Sequence, residues 1–238
     1  MSLTRKTGSV PLEDGELPYL IVVPDSGHGP GIVLCYEIFG LSRHMVERAE
    51  RLARLGYVVM VPDFFWRLGP QQVVEEREPD AMQRAVSLGM RLDREKAGAD
   101  GAAALAHLSE QPEVAGGVGV FGYCMGGMIG YRIATLTHPD AAVLYYPSGV
   151  EGHLDRIHDI SCPTLYEFGA EDTFMPPDIA DRVREATADH EGVQVVVQPG
   201  AGHAFDNDLV PQLHNAAAAA AAWEDAQRFL RRWLPSGA

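Results

Sequence analysis

Cysteine, positive charge and long apolar runs are all scarce in this 238-residue chain. The three cysteines, Cys35, Cys124 and Cys162, make an odd number with no CxxC pair. That excludes a disulfide framework and fits a reducing compartment, so a cytoplasmic location is expected. Nineteen Lys and Arg stand against thirty-three Asp and Glu, a formal net charge of −14, and the basic residues form no stripe. Nucleic acid and anionic membrane are therefore not expected as partners. No apolar run is long enough to span a bilayer, and the segment Met1-Ser2-Leu3-Thr4-Arg5-Lys6 lacks the apolar stretch of a signal peptide. Metal ligation also finds little support. His153 and His158 lie five apart, no HxxxH pair occurs, and Cys35 and Cys162 read as small core residues in or beside apolar strands.

What the chain has is a core and an alternation. Hydrophobic residues make up 46%. Short apolar runs at Tyr19–Val23, Gly31–Tyr36, Tyr57–Val61, Val118–Phe121, Ala141–Tyr145, Thr164–Phe168 and Val193–Val197 read as strands, most of them buried on both faces. Between them the pattern predicts helices over Arg43–Leu55, Ala97–Glu110, from just after Cys124 to Thr137, over Pro177–Asp189 and over Asn215–Leu234. Ser42 reads as an N-cap and Gly56 as a stop. The alanine run Ala216–Ala222 belongs to the last helix, because alanine is the best helix former. With no repeat and no linker, this alternation predicts a single α/β domain over residues 1–238, a mostly parallel sheet with helices on both faces. The segment Phe64–Asp93, with Pro70, Pro79 and a charged run, is the least regular. It reads as a solvated loop with a helix, placed after a strand end where it can overhang a site.

Gly122-Tyr123-Cys124-Met125-Gly126-Gly127 is the most informative stretch. An apolar strand precedes it and a helix follows. A strand that turns sharply into a helix strains the central residue and presents its side chain. The positions two before and two after must be small, and Gly122 and Gly126 fill them. This is the pattern of a nucleophile elbow, with a thiol at its tip and a helix N-terminus behind it that favours the thiolate. The alternative is a Gly-rich turn with a passenger cysteine. An elbow on this fold requires an acid and then a histidine later in the chain. Asp172 follows the strand ending at Phe168, and His203 ends a Gly-rich loop after the strand ending at Val197. All three lie beyond strand ends, where open parallel sheets bind ligands. The expected triad is Cys124, Asp172 and His203.

The loop Glu37-Ile38-Phe39-Gly40 also follows a strand. The backbone N–H of Ile38, with that of Met125 after the nucleophile, is assigned to an oxyanion hole. Glu37 reads either as a surface carboxylate or as a group that controls the protonation of Cys124 before substrate arrives.

The chain resembles the dienelactone hydrolase family in Glu37-Ile38-Phe39-Gly40, Val61-Pro62-Asp63, the cysteine elbow, Asp172 with Phe174 and Pro176, and Gly202-His203 with Phe205. The resemblance implies an α/β-hydrolase fold and the Cys124-His203-Asp172 triad. It also implies a Glu37 that pairs with the thiol at rest and swings away when substrate binds. Family members open small anionic lactones, with an arginine a few residues after the histidine holding the carboxylate. Here His203-Ala204-Phe205-Asp206-Asn207 offers an acid and an amide in that place, which predicts weak binding of anions. Substrate contacts are assigned to Arg84, Phe39, Tyr146 and Asn207. The expected activity is hydrolysis of a small-molecule ester or lactone, without metal or organic cofactor. Thioesterase or acyltransferase chemistry, or a non-catalytic ligand-binding or thiol-sensing role on the same fold, are the alternatives.

Overall fold

In the computed structural model, which describes residues 3–70 and 72–237, eight strands form one sheet. They are β1 (Thr4–Leu12), β2 (Gly15–Val23), β3 (Gly29–Cys35), β4 (Val58–Pro62), β5 (Val114–Tyr123), β6 (Ala141–Tyr145), β7 (Thr164–Gly169) and β8 (Val193–Gln198). Their spatial order is β1-β2-β4-β3-β5-β6-β7-β8. The β1–β2 and β2–β4 pairs are antiparallel, and every pair from β4 onward is parallel. β3, β4 and β6 are buried along their whole length, as their unbroken apolar sequences require.

The described residues form six α-helices: α1 (Arg43–Ala53), α2 (Ala81–Arg91), α3 (Arg94–Ser109), α4 (Met125–Leu136), α5 (Ile179–Ala186) and α6 (Ala216–Trp233). All but α2 pack on the sheet. α3 and α4 pack against each other and against β3 and β5. α1 and α6 are joined by the Arg51 guanidinium, which lies 4.0 Å over the Trp223 ring. In α6 the buried residues Ala218, Ala222, Ala226, Phe229 and Leu230 recur at helical spacing, and the Asn215 side chain accepts from the Ala218 N–H at 3.1 Å. The alanine run is thus helical, with Ala218, Ala219 and Ala222 turned inward and the rest of it exposed.

One strand without a sequence expectation appears, and two helix starts differ from theirs. β1 is exposed over its first six residues and pairs only with β2, so no buried face marks it in the sequence. α3 begins at Arg94, where Asp93 accepts from the Lys96 N–H at 3.1 Å; the charged first turn hides this start. Ser42 occupies the N-cap of α1, but its hydroxyl donates to buried Glu76 and caps nothing. No helix among the described residues is long and apolar enough to cross a membrane.

Candidate active site

β5 ends at Tyr123 and α4 begins at Met125, so the whole reversal falls on Cys124, at φ 53° and ψ −118°. A non-glycine residue there costs on the order of 1–3 kcal/mol. Backbone bonds hold it in place. The Cys124 N–H donates to the Tyr145 carbonyl at 3.0 Å, and the Cys124 carbonyl accepts from Met128 and Ser148, both at 3.2 Å. A Cβ on Gly122 would strike the Gly126 carbonyl oxygen, and one on Gly126 would strike the carbonyls of Cys35 and Tyr36. The elbow therefore closes only with glycine at both positions. Among the described residues the other two non-glycine positions with positive φ, Tyr146 at 36° and Ala204 at 54°, flank the same site.

The His203 Nε2 lies 3.1 Å from the Cys124 sulfur. Its Nδ1–H donates to Asp172 Oδ2 at 2.7 Å, and Asp172 Oδ1 accepts from the Phe174 N–H at 2.8 Å. The thiol and imidazole are 8% and 7% exposed, so the nucleophile sits on a cavity floor and not on the surface expected for an elbow. Burial pushes the His203 pKa down, but the negative charge at Cys124 and the hydrogen bonds to Asp172 and Cys124 outweigh it. The result is a pKa raised to about 10.

Glu37 is 2% exposed. Burial raises its pKa to about 7, against the lowering effect of the Asn207 hydrogen bond and the nearby His203 charge. Asn207 Nδ2 donates to Glu37 Oε2 at 2.7 Å, and the Tyr146 hydroxyl donates to Oε1 at 3.3 Å. The expected resting bond from Glu37 to the thiol is thus replaced by bonds to Asn207 and Tyr146. Glu37 still lines the cavity that holds Cys124.

That cavity, about 190 Å³, brings together Ile38, Phe39, Cys124, Met125 and His203. Three expected substrate contacts lie elsewhere. Arg84 is on the far side of α2, because residues 82, 86 and 90 turn inward and 84 is half a turn away. It pairs on the surface with Glu78 and Asp80. Tyr146 and Asn207 are fully buried behind the cavity wall, where they hold Glu37. Asp206 also points away, into a 2.5 Å bond with Arg48 Nε. The acid near His203 is therefore neutralised outside the site.

Two polar residues at the site went unread in the sequence, as did the apolar residues that α2 brings to its mouth. Ser148 Oγ lies 3.2 Å from His203 Nε2 and 3.5 Å from the Cys124 sulfur. Its only sequence signal is its place just past the end of β6. Arg94 reaches the cavity mouth from the first turn of α3. Among the described residues no cluster of three or more His, Cys, Asp or Glu is arranged to hold a metal.

A mostly parallel sheet with a strained residue between β5 and α4, and an acid and an imidazole delivered from the ends of β7 and β8, defines an α/β-hydrolase. Comparison with known proteins gives the family. The profile of the dienelactone hydrolase family matches residues 17–234. The chain is 32% identical over 217 residues to a carboxymethylenebutenolidase of a Pseudomonas species, covering 90% of each. It also superposes on a putative dienelactone hydrolase from Klebsiella pneumoniae with a TM-score of 0.75, at 25% identity and 98% coverage of both chains. A dienelactone hydrolase-like promiscuous phosphotriesterase from metagenomic libraries shares the fold, with a TM-score of 0.80 at 24% identity over 98% of this chain and 100% of that one. The chain belongs to the dienelactone hydrolase family and is a carboxylic ester hydrolase.

Proposed function

We propose that the chain hydrolyses an ester or lactone of a small molecule through an acyl-enzyme on Cys124. The observation that carries this reading is the continuous chain from the Cys124 sulfur to His203 at 3.1 Å and on to Asp172 at 2.7 Å. The thiolate attacks the carbonyl carbon, and its electron pair forms the C–S bond. The carbonyl oxygen becomes an oxyanion facing the N–H groups of Ile38 and Met125, each such donor being worth roughly 10²–10³ in rate. As the C–O bond breaks, the leaving oxygen takes the proton from His203 Nε2. A water then gives a proton to Nε2 and attacks the thioester. The thiolate leaves, and the acid product departs. Asp172 holds the imidazole with Nε2 toward sulfur and stabilises the imidazolium. Ser148, bonded to Nε2, gives the imidazole a second partner on the side where that water must arrive. Glu37 sets the charge beside the resting thiol, through a carboxyl that Asn207 and Tyr146 keep off the sulfur.

Cys124→Ala tests the reading. It should abolish hydrolysis of an activated ester and leave the thermal midpoint close to wild type. His203→Ala should lose nearly as much, because members of a triad act as a unit. More than about a tenth of the wild-type rate in Cys124→Ala, against the ~10²-fold minimum loss expected for such catalysis, would sink the assignment.

A further inference from the structure

Met82, Val86, Met90 and Phe174 are four of the six large apolar side chains left exposed among the described residues, and all four ring one opening, the mouth above Cys124. Met90 is 82% exposed and Phe174 69%. Met82, Val86 and Met90 are spaced four apart on α2 and form one stripe. Apolar surface open to water is unfavourable, and this stripe is continuous with the catalytic cavity.

The two sides of the mouth differ. α2 abuts the proposed oxyanion donors: a Cβ on Gly89 would stand 2.9 Å from Ile38 Cγ2 and 3.8 Å from the Met125 sulfur. Phe174 packs on the imidazole, with ring centroids 5.2 Å apart. In the proposed reaction the carbonyl oxygen faces Ile38 and Met125, and the leaving oxygen faces His203 Nε2. The leaving group therefore lies toward Phe174. Sulfur, oxyanion and leaving oxygen take three directions at the tetrahedral carbon, and the acyl arm takes the fourth, out through the mouth, where Met82, Val86 and Met90 offer it apolar surface.

We infer that the preferred substrates are esters with a neutral, extended apolar acyl arm laid along Met82, Val86 and Met90, and a leaving group seated against Phe174. This rests on the Cys124 hydrolase reading and adds the substrate class to it. The stripe runs about 12 Å along the helix, long enough for an extended acyl chain of roughly six to eight carbons to lie within it. Flexible methionines at two of its three positions suit arms of differing shape. Arg94 stands at the same mouth, but an exposed cation gives less than about a tenfold preference for an anion. Each buried methylene gives about fourfold, the equivalent of ~0.8 kcal/mol. Over several methylenes the apolar contribution wins.

The test is kcat/KM across nitrophenyl esters from acetyl to octanoyl. We expect about fourfold per methylene at first, and at least a hundredfold between acetyl and hexanoyl. Val86→Asn and Met90→Gln alter exposed side chains, and thermal melts will check their fold. Each should cut the hexanoyl-to-acetyl ratio at least fivefold. Phe174→Ala should instead change the preference among leaving groups and spare that ratio. A flat chain-length profile with Cys124-dependent acetyl turnover overturns this inference and leaves the hydrolase reading standing. A steep profile that neither α2 variant moves overturns the assignment to α2. No Cys124-dependent turnover of any ester overturns both.

Discussion

Burial places the Glu37 carboxyl near pH 7, so its charge changes where the enzyme would be assayed. Below that pH the group is a neutral acid beside the thiol. Above it, an anion faces Cys124 and His203. Glu37→Gln should therefore remove an inflection near pH 7 from both turnover and the alkylation rate of Cys124. Unchanged profiles would reduce Glu37 to a structural carboxyl. Stability responds as well. The folded pKa of about 7 lies above the ordinary 4.5, so between those values the folded state holds more protons than the unfolded, and stability falls as pH rises. Glutamine does not titrate. Urea denaturation should show Glu37→Gln gaining on wild type by up to about 3 kcal/mol from pH 4.5 to above 7. Glu167, also raised to about 7 by burial, titrates in both proteins and cancels. At this scale the sequence marked residues whose signal is local. Cys124, Asp172 and His203 follow strand ends in a fixed order. Whether Arg84 or Arg94 reaches the cavity depends on helix phase and on where α3 starts, and neither charge pattern fixes that.

The elbow is the element on which the site depends most. Gly126 has the backbone carbonyls of Cys35 and Tyr36 where a methyl would go, and backbone cannot yield as a side-chain tip can. Gly126→Ala should cost at least about 2–3 kcal/mol in denaturant titrations and lose activity by displacing Cys124. Gly152→Ala, with nothing within 4 Å of the new carbon, is the matched control and should be near neutral. Equal stability of the two variants would remove the packing argument for the elbow. The glycine spacing was legible because sterics at a sharp turn act over a few residues. α2 was only partly legible, as a helix somewhere in Phe64–Asp93. Its apolar residues Met82, Val86 and Met90 face the cavity mouth and not the core, so they read as irregular surface. β1 was missed because an edge strand exposed on both faces has no buried period to detect.

For the whole molecule the governing quantity is the charge of −14. Asp206, which stands in the sequence where a carboxylate-binding arginine is expected, is neutralised by Arg48 behind the site. The long-range field remains. It repels anions at low salt, and at ~0.1 M ionic strength it is screened beyond about 10 Å. A carboxylate-bearing lactone should be cleaved less efficiently than its neutral methyl ester at low salt. The gap should narrow as salt is added, while the ester stays flat. A tenfold preference for the anion that weakens with salt would instead give Arg94 control of binding.

The position of β8 at the sheet edge has a consequence for how activity is lost. β5, which leads into Cys124, lies between β3 and β6, whereas among the described residues β8 pairs only with β7 and is half-exposed along most of its length. His203 hangs from the loop that follows β8. Edges fray at lower free energy than sheet centres, so the base can detach while the nucleophile stays seated. In mild urea, turnover should fade before the far-UV spectrum changes, and hydrogen exchange should report opening at Val193–Gln198 ahead of Val114–Tyr123. Catalysis would then serve as a gauge of edge docking rather than of global folding.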